Sequence, residues 1–487
     1  MRAKCAMVMV LLAAAGIPAA AADPCATMTD LDPEVITRLA MLVPVGDVGT
    51  VKALRYQLSD EDGDYGPSVA PDPHGPMLIV PRGFRKLHCR LMITTFAISS
   101  VDDAIPSKDL IPSIAECVKR SDSYHRCLES GIARLWPEVL KRFATIPANA
   151  QEMEIRLAQN AFDLLFMHEV AHLVLGHLAK EMRTARDERQ AEFDADVYAV
   201  TFGSAGIGTG MGYMFNFGIL AEVDALLPSK SDTHDSFLCR GEDARNMGAA
   251  LSSTVYVMTE YARTRSAEMR PMLKQAAAGF DHTGVMNASR KCSARNLREI
   301  ENIRIDLQRL ASYLNTMTLP WGDDEPMIIA FLQRLRRVGM ETDSGRSVKA
   351  AILSIFVRVY HQTSPAPVNR FIPEMLDSKD SRYFLAKDRG HLVGLYAISL
   401  FEALPKMARP NEDNARLHRL LDEAIYYNPY FEKAYEARAK LHIREGNCRQ
   451  ALARLNFPAG MDVGPRTTQL TADLTREVRA GGCRIAP

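Results

Sequence analysis

His168-Glu169-Val170-Ala171-His172, followed by His177 and then by Glu192-Phe193-Asp194-Ala195-Asp196, is the stretch that decides the reading of this chain. Its first five residues have the form H-E-x-x-H. On a helix, residues four apart share a face, so His168 and His172 point the same way. Two imidazoles so placed can hold one Zn²⁺, with Glu169 between them where it can act on water at the metal. A catalytic zinc needs a third protein ligand and one open position. Glu192, from a second helix, can supply that ligand. Glu192 and Asp196 are again four apart, so one can ligate while the other accepts a hydrogen bond from a ligand imidazole and fixes its tautomer. His177 turns off the metal face and reads as a supporting or surface residue, not a ligand.

Outward from the motif, the pattern predicts a helix from about Gln151 to Arg183. Leu157, Ala161, Leu164 and Leu165 lead to the two histidines, while Phe162, Phe166, Val170 and Val174 fill the other faces. A helix apolar nearly all round is buried at the centre of a domain, so its metal face becomes the floor of a cleft. Asp187 to Ala191 opens the second helix. Val197 to Ala221 carries no charge and is long enough to span a bilayer. Its six glycines and Asn216 fit better a buried helix, a glycine-rich turn and a second buried helix. Membrane association is the alternative for this stretch, without a confident transmembrane helix.

The amino terminus reads as a targeting segment. Met1 to Lys4 is basic, Ala6 to Ala15 is apolar, and Ala20-Ala21-Ala22 offers a cleavage site. The mature chain is expected to begin near Asp23 and to reside in the periplasm or outside the cell. Eight cysteines then remain, and an even number in an exported chain suggests disulfides. The sequence-near pairs are the simplest: Cys117 with Cys127, Cys239 with Cys292, Cys448 with Cys483. Met77 to Val80, bracketed by Pro76 and Pro81, suits an edge strand that could bind a peptide by strand addition. Residues 105 to 147, Leu297 to Leu314 and Met327 to Val338 read as helical. Ser364-Pro365-Ala366-Pro367 marks a linker.

Composition excludes little. Hydrophobic residues make up 47% of the 487, enough for real cores. The formal net charge of zero leaves no nucleic-acid footprint.

The motif residues resemble the HtpX and CAAX-prenyl-protease type of zinc metallopeptidase, a gluzincin family. That family carries H-E-x-x-H, often a histidine five residues on, and E-x-x-A-D. The resemblance implies one zinc per chain held by His168, His172 and Glu192, with Glu169 as general base and Asp196 in support. It extends to Thr233-His234 and Arg240, which match the family's T-H-P…R stretch except that Asp235 replaces the proline. His234 and Arg240 would then line the cleft. A histidine there can donate to the oxyanion, occupy zinc's open position as a latch, or lie on the surface. Glu192 follows His172 by 20 residues, too few for the transmembrane hairpin of membrane-embedded members. Such short spacing is also similar to intracellular ImmA/IrrE-type and Lit-type H-E-x-x-H proteins, against which the export signal argues. In the C-terminal part, Tyr435, Ala439, Gly446 and Ala451 sit at tetratricopeptide-repeat spacings, and Ala424 and Pro429 fit the end of a preceding unit. So few units must pack on the helices before them.

The expected architecture is mainly α. Residues 1–22 form a signal peptide and 23–260 an α+β peptidase domain, with a small edge sheet around the H-E-x-x-H helix. Residues 261–370 form a helical connection and 371–487 a repeat-like helical domain. The expected activity is zinc-dependent hydrolysis of peptide bonds in exported proteins or peptides, in envelope protein processing or quality control. The competing reading is a non-catalytic or latched zinc-binding scaffold that recruits protein partners through its repeats.

Overall fold

The computed structural model describes residues 23–207, 294–316, 325–404 and 412–480, apart from 27, 31, 61–65, 100–109, 121–122, 180–183, 459–460 and 462. The expected signal segment, His234, Arg240, Cys239, Cys292, Cys483 and most of the uncharged stretch after Val197 lie outside the described residues.

The fold is mainly helical, with one small sheet. Helices α1 (Val35–Leu42) and α2 (Val48–Lys52) lead into strands β1 (Arg55–Ser59), β2 (Ser68–Ala70) and β3 (Met77–Pro81). The sheet order is β1-β3-β2, with β3 parallel to β1 and antiparallel to β2. Of the two readings of Met77 to Val80, an edge strand or an ordinary core strand, the structure shows the second. Pro76 precedes the ladder and Pro81 closes it opposite Ser59, so neither removes a hydrogen bond from its interior. With both sides paired, β3 has no free edge for an added peptide. Leu78 and Val80 are instead fully buried in the core.

Next come α3 (Phe84–Ser99), α4 (Leu110–Arg120), α5 (Tyr124–Phe143), α6 (Ala148–Val174) and α7 (Ala185–Ile207). Cys117 and Cys127 form the expected disulfide across the α4–α5 turn. A second disulfide joins Cys25 to Cys89 on α3, 64 residues apart, beyond the reach of a nearest-neighbour rule. Cys448 is also disulfide-bonded, and Cys483 lies outside the described residues. These bonds are compatible with an oxidising compartment. Among the described residues, no helix is long and apolar enough to cross a membrane.

The carboxyl-terminal half continues with α8 (Ala294–Thr316), α9 (Glu325–Arg337), α10 (Asp343–Thr363), α11 (Pro365–Leu376) and α12 (Ala386–Ala403). Asp306 on α8 is fully buried and accepts from the amides of Glu341 and Thr342, so it fixes the start of α10. The predicted linker at Ser364 to Pro367 is a tight joint between α10 and α11. Pro365 opens α11, where a missing amide hydrogen costs nothing and the ring pre-sets φ. Buried residues from Cys25 to Leu392 form one continuous core around Phe84, Phe162, Phe166, Phe356, Phe371 and Phe384.

Four helices follow: α13 (Glu412–Tyr427), α14 (Glu432–Arg444), α15 (Cys448–Ala453) and α16 (Pro465–Arg479). Ala424, Ala434, Ala439 and Ala451 are fully buried where these helices cross. A Cβ on Gly390 of α12 would lie 2.7 Å from the Ala424 carbonyl oxygen, so only glycine lets α12 and α13 approach this closely. Tyr430 donates to Glu34 Oε2 at 2.9 Å and Lys52 to the Tyr426 carbonyl at 2.6 Å, which ties the hairpin to the amino-terminal elements.

Candidate metal centre

Helix α6 passes through the core. Phe162, Leu164, Phe166, Met167, Val170 and Ala171 are all fully buried. Burial of roughly six such side chains at about 1.5–3 kcal/mol each for the large ones anchors the motif on a rigid element. The helix is shorter at its carboxyl end than the predicted Arg183. Leu175 caps it, and Gly176, at φ 72°, takes the left-handed turn that side chains disfavour. That turn sends the chain back so that His177, at the start of a short 3₁₀ turn, faces His172.

Helix α7 packs along α6. A Cβ on Gly203 would fall 1.8 Å from Leu164 Cδ2, so the crossing one turn before His168 is close. The contact places Glu192 and Asp196 opposite the two motif histidines. Asp194, between them in sequence, turns away and accepts from Gln190 at 2.6 Å.

The donor atoms converge. His168 Nε2 and His172 Nε2 are 3.1 Å apart. Glu192 Oε2 lies 3.2 Å from His168 Nε2, and Oε1 lies 3.4 Å from His172 Nε2. A tetrahedral zinc with bonds of about 2.0–2.1 Å has an edge of about 3.3 Å between ligand atoms. Each separation lies near that value, the two glutamate distances belonging to different oxygens of one carboxylate, and one ligand atom from each residue lies within 4.8 Å of the others.

Two further contacts lie behind the histidines. Asp196 Oδ1 sits 2.9 Å from His168 Nδ1 and is almost fully buried. His172 Nδ1 lies 3.0 Å from His177 Nδ1. With its proton on Nδ1, His172 bonds His177 and turns a bare Nε2 lone pair towards Glu192; the same tautomer of His168 sets its proton beside Asp196. Burial, with His168 alongside, pushes the pKa of His172 down to about 4, against the pull of Glu192 and Asp196. His172 is therefore neutral near pH 7. With Nδ1 protonated on both rings, two lone pairs and a carboxylate face one point, an arrangement that favours a cation.

Glu169 keeps partial exposure, whereas its neighbours His168 and Val170 are buried. A cleft of about 780 Å³ opens on the other face of α7, lined in part by His177, Gln190, Asp194, Tyr198 and Tyr383. The three ligand candidates do not line it.

Family models, curated proteins and solved structures offer no match to this chain. Among the described residues, two groups of histidine and glutamate can hold a metal ion: His168, His172 and Glu192, and a second made of His418, His442 and Glu445. Sequence reasoning missed the second because its residues form no short motif. Its signal was only two histidines on neighbouring helices of one hairpin.

Proposed function

We propose that the chain is an exported zinc-dependent metalloendopeptidase. One observation carries the reading: His168 Nε2, His172 Nε2 and a Glu192 carboxylate oxygen converge within 4.8 Å, with Asp196 beside the outward nitrogen of His168 and His177 bonded to that of His172. The donor set of two imidazoles and one carboxylate fits Zn²⁺ better than Mg²⁺ or Ca²⁺, which prefer oxygen ligands. When bound, zinc supplies a Lewis acid that polarises the scissile carbonyl and acidifies water.

The chain's own residues account for the rest. Asp196 holds the His168 ring and its tautomer, and His177 does the same for His172. Glu169 accepts the proton of the attacking water and returns it to the leaving amine. The buried walls of α6 and α7 limit water around these groups and strengthen their charges. Disulfides at Cys25–Cys89 and Cys117–Cys127 support an exported setting. The substrate class is protein or peptide, and the carboxyl-terminal helices are surfaces for protein partners.

The test is hydrolysis of an unfolded protein substrate by the zinc-loaded chain and by Glu169→Gln. Loss of cleavage with full zinc retention supports the peptidase. Zinc binding by a wild-type chain that cleaves no substrate would instead leave the scaffold reading.

A further inference from the structure

We propose a second zinc-type site in the carboxyl-terminal hairpin, formed by His418 of α13 with His442 and Glu445 at the end of α14. It stands independently of the peptidase reading.

The geometry is built from the backbone upward. Helix α14 ends in a Schellman turn. The Asn447 amide donates to the His442 carbonyl at 2.8 Å, and the Gly446 amide to the Ile443 carbonyl at 2.9 Å. Gly446 takes φ 75°, which makes the turn affordable. His442 and Glu445 are thereby fixed relative to each other. Cys448, the first residue of α15, is disulfide-bonded beside the same turn. His418 comes from α13, the antiparallel partner. Its Nε2 lies 3.1 Å from Glu445 Oε1 and 3.2 Å from Oε2, and His442 Nδ1 lies 3.2 Å from Glu445 Oε2. One ligand atom from each residue falls within 4.8 Å of the others. The histidine–glutamate distances again match the edge of about 3.3 Å for tetrahedral zinc.

Electrostatics favours a cation here. The carbonyl end of a helix carries partial negative charge, and Glu445 adds a full carboxylate to it. An anion in that position is unfavourable without a positive partner. Asn414, itself buried, donates to Glu445 Oε1 at 3.2 Å and orients the carboxylate. Arg454 opposes the site by adding positive field at His442. Two imidazoles among three donors select a zinc-like ion over Mg²⁺ or Ca²⁺. Such an ion would staple α13 to the α14–α15 turn, adding to the packing and the Arg438–Asp422 ion pair that already join α13 to α14.

The experiment uses the full chain with His168→Ala and Glu192→Gln, stripped with chelator and titrated with zinc. About one equivalent should bind, as expected for a single three-ligand site, and zinc should raise Tm by mass action. Adding Glu445→Gln, which keeps the side chain's shape, should weaken zinc binding at least about tenfold and shrink the Tm shift accordingly. In the otherwise wild-type chain, Glu445→Gln alone should lower zinc content from two equivalents towards one while peptide hydrolysis is unchanged. That arm holds even if the double variant folds poorly. No zinc uptake by the double variant, together with one equivalent in the wild type, would overturn the proposal and leave a hydrogen-bonded histidine–glutamate knot. Unchanged affinity after Glu445→Gln would overturn it equally.

Discussion

The α6–α7 site and the α13–α14 cluster use the same three side-chain types but arrange their protons differently. At α6–α7, each ligand imidazole has a partner behind it: Asp196 at His168 and His177 at His172. Those partners favour protons on the outward nitrogens, with the lone pairs converging. At α13–α14, Glu445 lies between the two histidines and can accept a hydrogen bond from each. Among the described residues, neither His418 nor His442 pairs with an aspartate. The comparison teaches that ligand type does not by itself define a metal site. The groups behind the ligands set how much the donors need a cation, and so how tightly they hold one.

The largest expected difference is chemical. Glu169→Gln should cut kcat by about 10²–10⁴-fold, the usual worth of a general base, without loss of zinc. Glu445→Gln should leave kcat within experimental error. Equal losses in both variants, measured on one protein substrate, would break the distinction between a working centre and a staple.

Metal affinity comes next. Asp196→Asn should weaken zinc binding at the α6–α7 site by about 10–100-fold, the usual effect of removing a carboxylate behind a ligand histidine. His177→Ala should fall at the lower end of that range, because a neutral imidazole supports its partner less than a carboxylate does. Asn414→Ala should matter less still at the other cluster. Competition with a chelator of known affinity gives the order. If His177→Ala outweighs Asp196→Asn, the tautomer argument fails.

Packing provides a smaller contrast. Gly390→Ala drives a methyl into the backbone of α13, which cannot yield, and should cost about 1–3 kcal/mol. Gly203→Ala meets only the end of Leu164, a side chain that can rotate, and should cost about 1 kcal/mol. Denaturant unfolding measures both. A larger cost at Gly203 would mean that the α6–α7 crossing is the more rigid of the two.

Local rules explain what was legible in the sequence. His168 with His172, and Glu192 with Asp196, are fixed by a four-residue spacing that needs no tertiary knowledge. The apolar pattern also foretold the burial of α6. What escaped depends on distant partners or on a single dihedral angle. The sheet order makes β3 central, although its flanking prolines read as an edge. Cys25 meets Cys89 only after the chain has folded around α3. Gly176 ends α6 early and returns His177 to the site, which the helical pattern could not show. Pro365 starts a helix at a position where composition alone suggested a linker.

The smallest expected effect is the pH dependence of the metal-free chain, and it sharpens the comparison along α6 itself. Burial holds the His172 pKa near 4, below its ordinary 6.5. Between those values the unfolded chain binds a proton that the folded chain does not. Stability contributed by neutral His172 is thus present above pH 6.5 and lost as pH falls towards about 4. Glu154, buried further up α6, behaves oppositely. Burial raises its pKa from 4.5 to about 7, so its contribution is present below pH 4.5 and lost as pH rises to about 7. The two slopes partly cancel across the same window. Glu154→Gln should therefore steepen the acid destabilisation between pH 6.5 and 4.5, and His172→Gln should flatten it. Urea unfolding of chelator-treated protein at half-unit pH steps reads both slopes. If Glu154→Gln leaves the pH slope unchanged, Glu154 is not held protonated by burial, and the acid sensitivity belongs to the metal site alone.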